Sequence, residues 1–480
     1  MTVILDIDIL IFIPPSAKAK PMKSTETRTL SLSHSFCMVV GSMLGVGIFL
    51  YPPTVAKLCS PTLYFLTWIF GGFIALAGAA SCAELSTMMP KAGGDYHFQR
   101  TALNPSIAFA TGWVLFLGIF SGSIATMSVA LFQYQIPTLL GKDFSTLIWS
   151  YPWGGGLSYT NFGACVTVLV LSAICKIGIR SSGWLQLIFT AIPLVSLFFF
   201  SLYALGTFEG LPPSTSPAQN TLLGWMEAYL VVYFAYSGWN SIIYIAGDIQ
   251  HPHKNIPRAL IGGTLSTTVL YVLLCGTFVY VLGFDTLAQT IEAGTAIAGI
   301  LGGSLLETTM TVLIALAILA SINGTLLAGA RTGHSMGKDG LFFNQKLSQD
   351  AIISIQCIWS IILILTGRFE TLTQLTSLAM LLTGSITVSI IFVLRYRKPD
   401  DHRPYRCTGY PLIPLTYLVC NLSILGFFLF QALGKTSTLF TQEETDFWSH
   451  WKDWYPLFGL CLFILAFGIH TVWRRSLKVK

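Results

Sequence analysis

Residues 41–49 read GSMLGVGIF, where Gly41, Gly45 and Gly47 interrupt the first long apolar segment of the chain. A later apolar segment is interrupted in a similar way at residues 234–240, FAYSGWN. Unwound backbone is unfavourable in lipid, because its N–H and C=O groups find no hydrogen-bond partners there, so it occurs where it lines a cavity. Two such breaks in corresponding halves of a membrane chain indicate a polar binding site near the bilayer midplane.

The composition also indicates a membrane protein. Of the 480 residues, 53% are hydrophobic and only 10% are charged, and the mean hydropathy is +0.68. Soluble domains carry about 25% charged residues. The net charge of +6 does not indicate nucleic-acid binding, because the basic residues are scattered through short loops. The ten cysteines include no CxxC pair, so we expect buried apolar thiols and neither a metal ion nor a cofactor.

The apolar segments predict an all-α polytopic fold with twelve transmembrane helices, since a hydrocarbon core needs roughly 20 apolar residues per helix. The segments at 161–178 and 351–366 are the shortest of the twelve, and 284–300 is predicted to be an outer loop, with or without a short helix. The predicted spans, numbered in order, are 34–57, 62–88, 106–137, 161–178, 183–206, 222–248, 258–283, 303–331, 351–366, 371–395, 411–433 and 453–473.

The distribution of Lys and Arg orients these spans. Alternate connections between them hold 22 of the 27 basic residues, and the other connections hold 5. Cytoplasmic loops carry the excess of Lys and Arg, so both termini are predicted to be cytoplasmic. A miscounted helix would exchange the cytoplasmic and outer assignments of all later loops, so the asymmetry in Lys and Arg also supports the count of twelve spans.

The two breaks fall in spans 1 and 6, a spacing that predicts two five-helix repeats with the second inverted relative to the first. Met22 precedes a short polar lead into span 1, so we expect translation to start at Met22 and residues 1–21 to be an upstream extension. The predicted organisation is a cytoplasmic segment 1–33, a first repeat 34–206, an inverted repeat 222–395, two additional helices 411–473 and a cytoplasmic tail 474–480.

The break in span 1 suits a ligand that carries a positive and a negative charge. Gly41 and Gly45 alone also fit a small-xxx-small packing face, but Gly45 and Gly47, followed by Pro52 and Pro53, favour a broken helix. Backbone amides at the start of the second half favour an anion, and carbonyls at the end of the first half favour a cation. An α-amino acid carries both charges on neighbouring atoms, so this backbone suits it without charged side chains.

Several motifs recur along the chain in a characteristic order: GSMLGVGIF at 41–49, Ala83-Glu84-Leu85, residues 90–96, FAYSGWN at 234–240, residues 248–258, Ser321-Ile322-Asn323-Gly324, and residues 331–340. This order resembles the amino acid–polyamine–organocation (APC) superfamily, and most closely its L-type amino-acid transporter branch. The resemblance covers spans 1 to 10. It implies a leucine-transporter-type 5+5 inverted repeat plus two C-terminal helices, and a permease or exchanger that moves amino acids by alternating access.

The resemblance also implies a binding site. Amides near Val46 and Gly47 would hold the substrate carboxylate, and carbonyls near Met43, Phe234 and Ser237 would hold its amino group. The Phe234 side chain would close over the substrate, although ordinary packing is the commoner role of a phenylalanine in a membrane helix. The implied substrate-binding residues are Met43, Gly45, Val46, Gly47, Phe234, Ser237 and Gly238.

Two positions depart from the family pattern. Family members usually have a small hydroxyl residue where this chain has Val46, so a side-chain contact to the substrate is lost. Residues 186–191, QLIFTA, resemble a stretch that continues to a lysine in many relatives, and Pro193 takes that place here. That lysine is thought to stand in for a sodium ion or to carry a proton. Its absence leaves the coupling ion open.

A further group of residues is predicted to lie at or beside the site: Tyr236, Trp239, Asn240, Ser321, Asn323 and Glu84. Trp239 and Asn240 are expected to pack against or cap the break in span 6. Ser321 and Asn323 either face the site or bond across helices. Glu84 is an intramembrane carboxylate and therefore a functional candidate; a buried anchor paired with Lys or Arg is the favoured alternative.

Other protein classes fit the sequence less well. A membrane enzyme would need a catalytic set such as HExxH, and the sequence contains none. A channel would need a repeated filter loop or a ring of charge, which two breaks in one asymmetric chain argue against. Asp248 and Arg258 are expected to form an inner ion pair or a solvated loop pair.

The substrate follows from the acidic residues. A cationic amino acid or polyamine would need an acidic side chain in the cavity, but spans 1, 3, 6, 8 and 10 have none near their midpoints, and Glu227 and Glu307 lie near outer ends. This favours a neutral amino acid, with a cationic amino acid/polyamine antiporter (such as arginine/agmatine exchange) as the alternative. Short loops favour a bacterial inner membrane. Exchange or uniport, and the oligomeric state, stay open.

Overall fold

The computed structural model describes residues 28–150, 156–210, 221–342, 347–366, 369–439 and 455–478. The predicted start at Met22 and the predicted extension 1–21 lie outside these ranges.

Long helices account for almost all of the described chain. A two-stranded antiparallel hairpin, Leu147–Ser150 with Gly156–Ser158, precedes span 4. The helices that we assign to spans are Leu32–Met43 and Gly47–Leu58 (span 1), Pro61–Met88 (span 2), Pro105–Leu140 (span 3), Tyr159–Ile177 (span 4), Ile179–Thr207 (span 5), Leu222–Ala235 and Ser241–Tyr244 (span 6), Pro252–Leu282 (span 7), Ala293–Lys338 (span 8), Gln349–Thr366 (span 9), Phe369–Arg397 (span 10), Leu412–Leu439 (span 11) and Tyr455–Lys478 (span 12).

Within the described ranges, nine helices are long and apolar enough to cross a membrane, and three more apolar helices are shorter: Leu222–Ala235, Gln349–Leu365 and Gly459–Arg474. Each of the twelve predicted segments overlaps one of these helices. The chain is therefore a polytopic helical membrane protein. The count of twelve crossings and the inverted repeat stay predictions.

Local sequence explains where several helices begin. Ser60 caps the N-terminus of span 2, where its hydroxyl accepts a bond from the Leu63 N–H, and Pro61 occupies the first helical position. Asn104 and Pro105 begin span 3 in the same way. A capping oxygen satisfies an amide that the helix leaves unpaired, and proline has no N–H to lose at that position.

Spans 1 and 6 are both interrupted. Span 1 stops at Met43 and resumes at Gly47, and span 6 stops at Ala235 and resumes at Ser241. Gly238, within the second gap, has φ of 96°, a left-handed conformation that favours glycine. The breaks therefore lie where the glycine pattern predicts them.

The segment predicted as an outer loop at 284–300 is largely helical. Phe284–Gln289 forms a short helix, and a second helical stretch begins at Ala293. Gly302 and Gly303 have non-helical dihedral angles, so this stretch and the long helix that runs to Lys338 are two helices joined at a kink. The kink coincides with the predicted start of span 8 at residue 303, and short helical segments make up most of the connection before it.

Candidate functional site

One cavity lies between the two breaks. Both interrupted segments line it, together with spans 3, 8, 10 and 11 and the short helix Gly94–Ala102, which connects spans 2 and 3 and which we call the loop helix. The residues that line it are Ser42, Met43, Gly45, Val46, Gly47, Asp95, Leu115, Ile119, Phe120, Ser123, Met127, Tyr233, Phe234, Ala235, Ser237, Gly238, Trp239, Asn240, Ser241, Tyr244, Ser321, Thr325, Ala328, Met380, Thr383, Gly384 and Tyr417.

All seven predicted substrate-binding positions are among these lining residues: Met43, Gly45, Val46, Gly47, Phe234, Ser237 and Gly238. Of the further candidates, Trp239, Asn240 and Ser321 line the cavity as well. Tyr236, Asn323 and Glu84 do not; each is buried and contacts other helices. The roles of all these residues in binding stay predictions.

The second half of span 1 begins at the cavity with unpaired amides. The helix Gly47–Leu58 has Val46 at its N-cap, and no side chain caps it. The first N–H groups of a helix have no acceptor within the helix, and the helix dipole places partial positive charge there. Val46 and Gly47 thus present a concentration of donors that suits an anion.

Close backbone packing explains two of the glycines. A Cβ atom on Gly47 would lie 2.6 Å from the Ala235 Cα atom, across the gap between the two broken spans. A Cβ atom on Gly238 would lie 2.5 Å from the Ser42 carbonyl oxygen. Real Cβ atoms do not approach backbone so closely, so the two breaks touch only because these positions lack side chains.

The carbonyl groups at the breaks are engaged by neighbouring spans. The Tyr271 hydroxyl, from span 7, lies 2.5 Å from the Met43 carbonyl oxygen and 3.2 Å from that of Ala235, so one phenol reaches both broken spans. The Met43 oxygen also accepts a bond from the Gly45 N–H at 2.8 Å. Ser321 donates to the Ser42 carbonyl oxygen at 3.0 Å.

Phe234 lies at the end of the first half of span 6, facing span 1. It is 6% exposed, and its ring centroid is 5.9 Å from that of Tyr51 in an edge-to-face arrangement. Tyr51 belongs to the second half of span 1. The pair connects the two broken spans beside the cavity.

Asp95 is a lining residue that belongs to the motif at residues 90–96 and that the sequence reasoning did not assign to the site. It is 2% exposed, and it is the single charged side chain among the described residues that line the cavity. The Tyr244 hydroxyl, in the second half of span 6, donates to its carboxylate at 2.7 Å. The premise that no acidic side chain faces the cavity is therefore wrong, because the loop helix supplies one.

Span 3 contributes another feature that sequence reasoning missed. Residues 114–120 form a π-helix, from which Leu115, Ile119 and Phe120 line the cavity. The wider turn is common at functional sites. The run VLFLGIF contains nothing that distinguishes it from an ordinary α-helix.

Glu84 forms a buried anchor away from the cavity. Arg395 donates to both of its carboxylate oxygens, at 3.0 and 2.6 Å, and Arg403 lies 3.3 Å from it. The Cys407 N–H donates to it at 2.7 Å. The carboxylate therefore connects span 2 to span 10 and to the loop that follows it, as the anchor alternative predicted.

Asn323 bonds across helices and does not face the cavity. Its amide donates to the Gln186 side-chain oxygen at 2.7 Å, and its own oxygen accepts from the Ser182 hydroxyl at 2.5 Å. On the next turn of span 5, Thr190 donates to the Cys37 carbonyl oxygen of span 1 at 3.2 Å. Neutral polar groups thus join spans 1, 5 and 8 near Pro193.

The predicted pairing of Asp248 with Arg258 is wrong. Asp248 pairs instead with Arg331 of span 8, at 2.8 Å. Its carbonyl oxygen also accepts the N–H groups of Thr29 and Leu30, ahead of span 1. His251, in a left-handed conformation, precedes the start of span 7 at Pro252.

The fold defines a polytopic helical membrane protein in which two broken helices line one cavity. A family model described as "Amino acid permease" matches residues 30–467. The chain belongs to this amino acid permease family, and it is a transport protein rather than an enzyme.

Individual relatives are more distant but cover most of the chain. The serine/threonine exchanger SteT of Bacillus subtilis (strain 168) is 26% identical over 420 residues, covering 83% of this chain and 90% of SteT. The human large neutral amino acids transporter small subunit 2 is 28% identical over 421 residues, covering 84% and 76%. The mouse b(0,+)-type amino acid transporter 1 is 24% identical over 428 residues, covering 85% of each.

Proposed function

We propose that this protein is a secondary active transporter that exchanges amino acids across the membrane by alternating access. The observation that carries the proposal is the meeting of two unwound segments in one cavity, each lining it with backbone. The three relatives named above are one exchanger and two amino acid transporters by name, and they support the same class of substrate.

The substrate's α-carboxylate binds the amides at Val46 and Gly47, and its ammonium binds carbonyl oxygens at the two breaks. The ends of helices supply complementary partial charges, so a zwitterion is held with little dependence on side chains. At Met43 the ammonium must share or displace a bond that the carbonyl oxygen already accepts from Tyr271 or Gly45. Ser237 and Phe234 complete this end of the site.

The substrate side chain faces a largely apolar wall. Ile119, Met127 and Met380 lie there with the ring of Phe120, and Val46 adds a methyl-bearing side chain where relatives keep a hydroxyl. Apolar surface is stabilised by contact with apolar groups. An amino acid with a neutral side chain that is apolar or small is therefore the substrate that fits this wall.

The cavity extends from the breaks towards Asp95 and Tyr244, while the Phe234–Tyr51 ring contact lies on its other side. With both termini in the cytoplasm, this arrangement corresponds to a site closed to the outside. The protein lies in the inner membrane of a bacterium. The two repeats move relative to each other around the site and expose it alternately to each side.

Transport of labelled amino acids into liposomes tests the proposal. The purified protein is reconstituted and given a panel of labelled neutral, cationic and acidic amino acids, with or without unlabelled amino acid inside. We expect saturable uptake of neutral amino acids that accelerates when the interior holds the same substrate. Non-saturable uptake that ignores the internal amino acid would instead indicate a channel.

A cationic amino acid or polyamine antiporter is the second candidate, and Asp95 is the observation that favours it. A buried carboxylate that lines the cavity offers a partner for a positively charged side chain. The same panel separates the two candidates, because this alternative predicts that arginine, lysine or agmatine is taken up in preference to neutral amino acids.

A further inference from the structure

Asp95 lies in an unusual place for a carboxylate. It is the second residue of the loop helix, and it lines the cavity with 2% of its surface exposed. The ion pairs in the described part of the chain all involve other carboxylates. A buried carboxylate without a cationic partner is unfavourable in its charged form, so it tends to bind a proton.

The partners of Asp95 connect it to the break in span 6. Tyr244 donates its hydroxyl proton to the carboxylate at 2.7 Å, and the Asn240 side chain donates to the Tyr244 oxygen at 3.1 Å. The Gly93 N–H bonds the Tyr244 carbonyl oxygen at 2.9 Å. The loop helix therefore contacts the second half of span 6 through both side chain and backbone.

The groups that interact with Asp95 from the surrounding helices are hydroxyls and a thiol, and none of them is a cation. They are Cys82 of span 2, Tyr233 and Tyr244 of span 6, and the Thr387 hydroxyl of span 10. Burial raises the pKa of Asp95 to about 6, although the bonds from Tyr244 and Thr387 act in the opposite direction. The carboxylate therefore titrates within the pH range of ordinary bacterial surroundings.

We propose that Asp95 is a proton-binding site of the transport cycle, and that its protonation controls how firmly the loop helix holds the second half of span 6. This inference rests on the proposed transport function. The proton comes from water in the cavity and binds the carboxylate oxygen that does not accept the Tyr244 bond. The charge-assisted bond from Tyr244 then becomes a neutral one, and hydrogen bonds to ionised groups are roughly twice as strong as neutral ones.

Protonation weakens the contact between the loop helix and span 6, and movement of these two elements opens the cavity. Exchange is therefore expected to accelerate as the pH falls towards the titration midpoint. For a single site, the protonated fraction falls ~10-fold for each pH unit above that midpoint. Uptake by the wild type is expected to decline in this proportion between about pH 6 and about pH 8.

The test combines infrared spectroscopy with transport, on the full chain in liposomes. In the wild type, the C=O stretch of a protonated carboxyl group is expected to grow as the pH is lowered from about 8 to about 5, with a midpoint near 6. Asp95→Asn is expected to remove that component and to give uptake that does not vary over this range. Asp143→Asn is the matched control, because Asp143 is exposed and Ser145 lowers its pKa.

Tyr244→Phe provides a second variant that separates titration from simple loss of structure. It keeps the ring and removes the donor that favours the ionised carboxylate, so the midpoint of the infrared band is expected to move to higher pH. If the Asp95→Asn variant kept the wild-type infrared band or the wild-type pH profile of uptake, the inference would be overturned. Absence of saturable uptake in the wild type would overturn the transport proposal alone, since the infrared titration of Asp95 is measured without transport.

Discussion

At the scale of single residues, the site depends on groups that hold backbone in place as much as on groups that line the cavity. Tyr271 does not line the cavity, yet its hydroxyl reaches carbonyl oxygens of both broken spans. Gly47 and Gly238 have no side chain, and the two breaks approach each other at these positions. Substitutions that leave the cavity wall unchanged are therefore expected to alter binding.

Tyr271→Phe is expected to weaken substrate binding while leaving the fold intact. It removes the one hydroxyl that joins the Met43 and Ala235 carbonyl oxygens. The Met43 oxygen keeps its bond from Gly45, but the Ala235 oxygen loses a donor and the two breaks lose their shared contact, at a cost of about 1–3 kcal/mol. We expect KM for uptake to rise roughly 10-fold, measured in proteoliposomes.

Tyr236→Phe is the matched control for this change, because the Tyr236 ring is also buried and lies 5.0 Å from that of Tyr271. No hydrogen bond within the described ranges joins the Tyr236 hydroxyl to either break. An equal rise in KM for both variants would show that Tyr271 acts through its packing and not through its hydroxyl.

Gly238→Ala is expected to abolish substrate binding. The added methyl group would meet the Ser42 carbonyl oxygen, and φ of 96° is strained for alanine, which costs about 1–3 kcal/mol before any contact is counted. Gly276→Ala in span 7 is the control, since a Cβ atom there meets nothing within 4 Å. Normal equilibrium binding of a labelled amino acid by Gly238→Ala would contradict the described contact between the breaks.

At the scale of elements, polar contacts join helices that are distant in sequence. Glu84 connects span 2 to span 10 and to the loop after it through two arginines and a backbone amide. Asp248, which follows the second half of span 6, pairs with Arg331 of span 8 and bonds the backbone that precedes span 1. Both contacts lie at the end of the bundle that the loop helix occupies, so they stabilise this end against separation.

Glu84→Gln is expected to destabilise the protein strongly. It leaves Arg403, whose side chain is 5% exposed, without its carboxylate partner, and breaking a buried pair by removing one partner costs about 3–5 kcal/mol. Asp401→Asn is the control, because its pair with Lys398 is about half exposed and such pairs contribute roughly 0–1 kcal/mol. Thermal unfolding in detergent measures the stability of both variants. Equal melting temperatures for Glu84→Gln and Asp401→Asn would show that the Glu84 cluster contributes little.

The positions of the two breaks could be predicted from the sequence because their cause is local. The glycines that interrupt the helices lie within residues 41–49 and 234–240, and unpaired backbone groups are unfavourable in lipid. The same reasoning could place Glu84 beside an arginine but could not say which one, since Arg395 and Arg403 lie more than 300 positions away. Asp95 and the π-helix at 114–120 were missed because their significance depends on which helices pack around them.

At the scale of the whole molecule, the cavity is bordered by the Phe234 ring, which contacts Tyr51, and by Asp95 with Tyr244. Phe234 and Tyr51 come from the two broken spans, so relative movement of these spans separates the rings. In the proposed cycle this movement opens the outer side, while release of Tyr244 from Asp95 accompanies opening of the inner side.

Phe234→Ala is expected to lower the rate of exchange at least ~10-fold with the protein still inserted, because removing a buried phenylalanine costs about 3–5 kcal/mol of packing, and the ring contact with Tyr51 is lost. Phe199→Ala on span 5 is the control, since its side chain is 62% exposed on the outer face of the helix. Undiminished uptake by Phe234→Ala would remove the gating role of this ring.

The central claim is that backbone at the two breaks binds both charged groups of an amino acid. Competition binding tests it directly: a labelled substrate is displaced by the unlabelled amino acid, by its methyl ester, which lacks the carboxylate, and by its N-acetyl derivative, which lacks the ammonium. Hydrogen bonds to charged groups contribute about 1.5–3 kcal/mol, so each derivative is expected to compete at least ~10-fold more weakly than the free amino acid. Equal competition by either derivative would contradict the account.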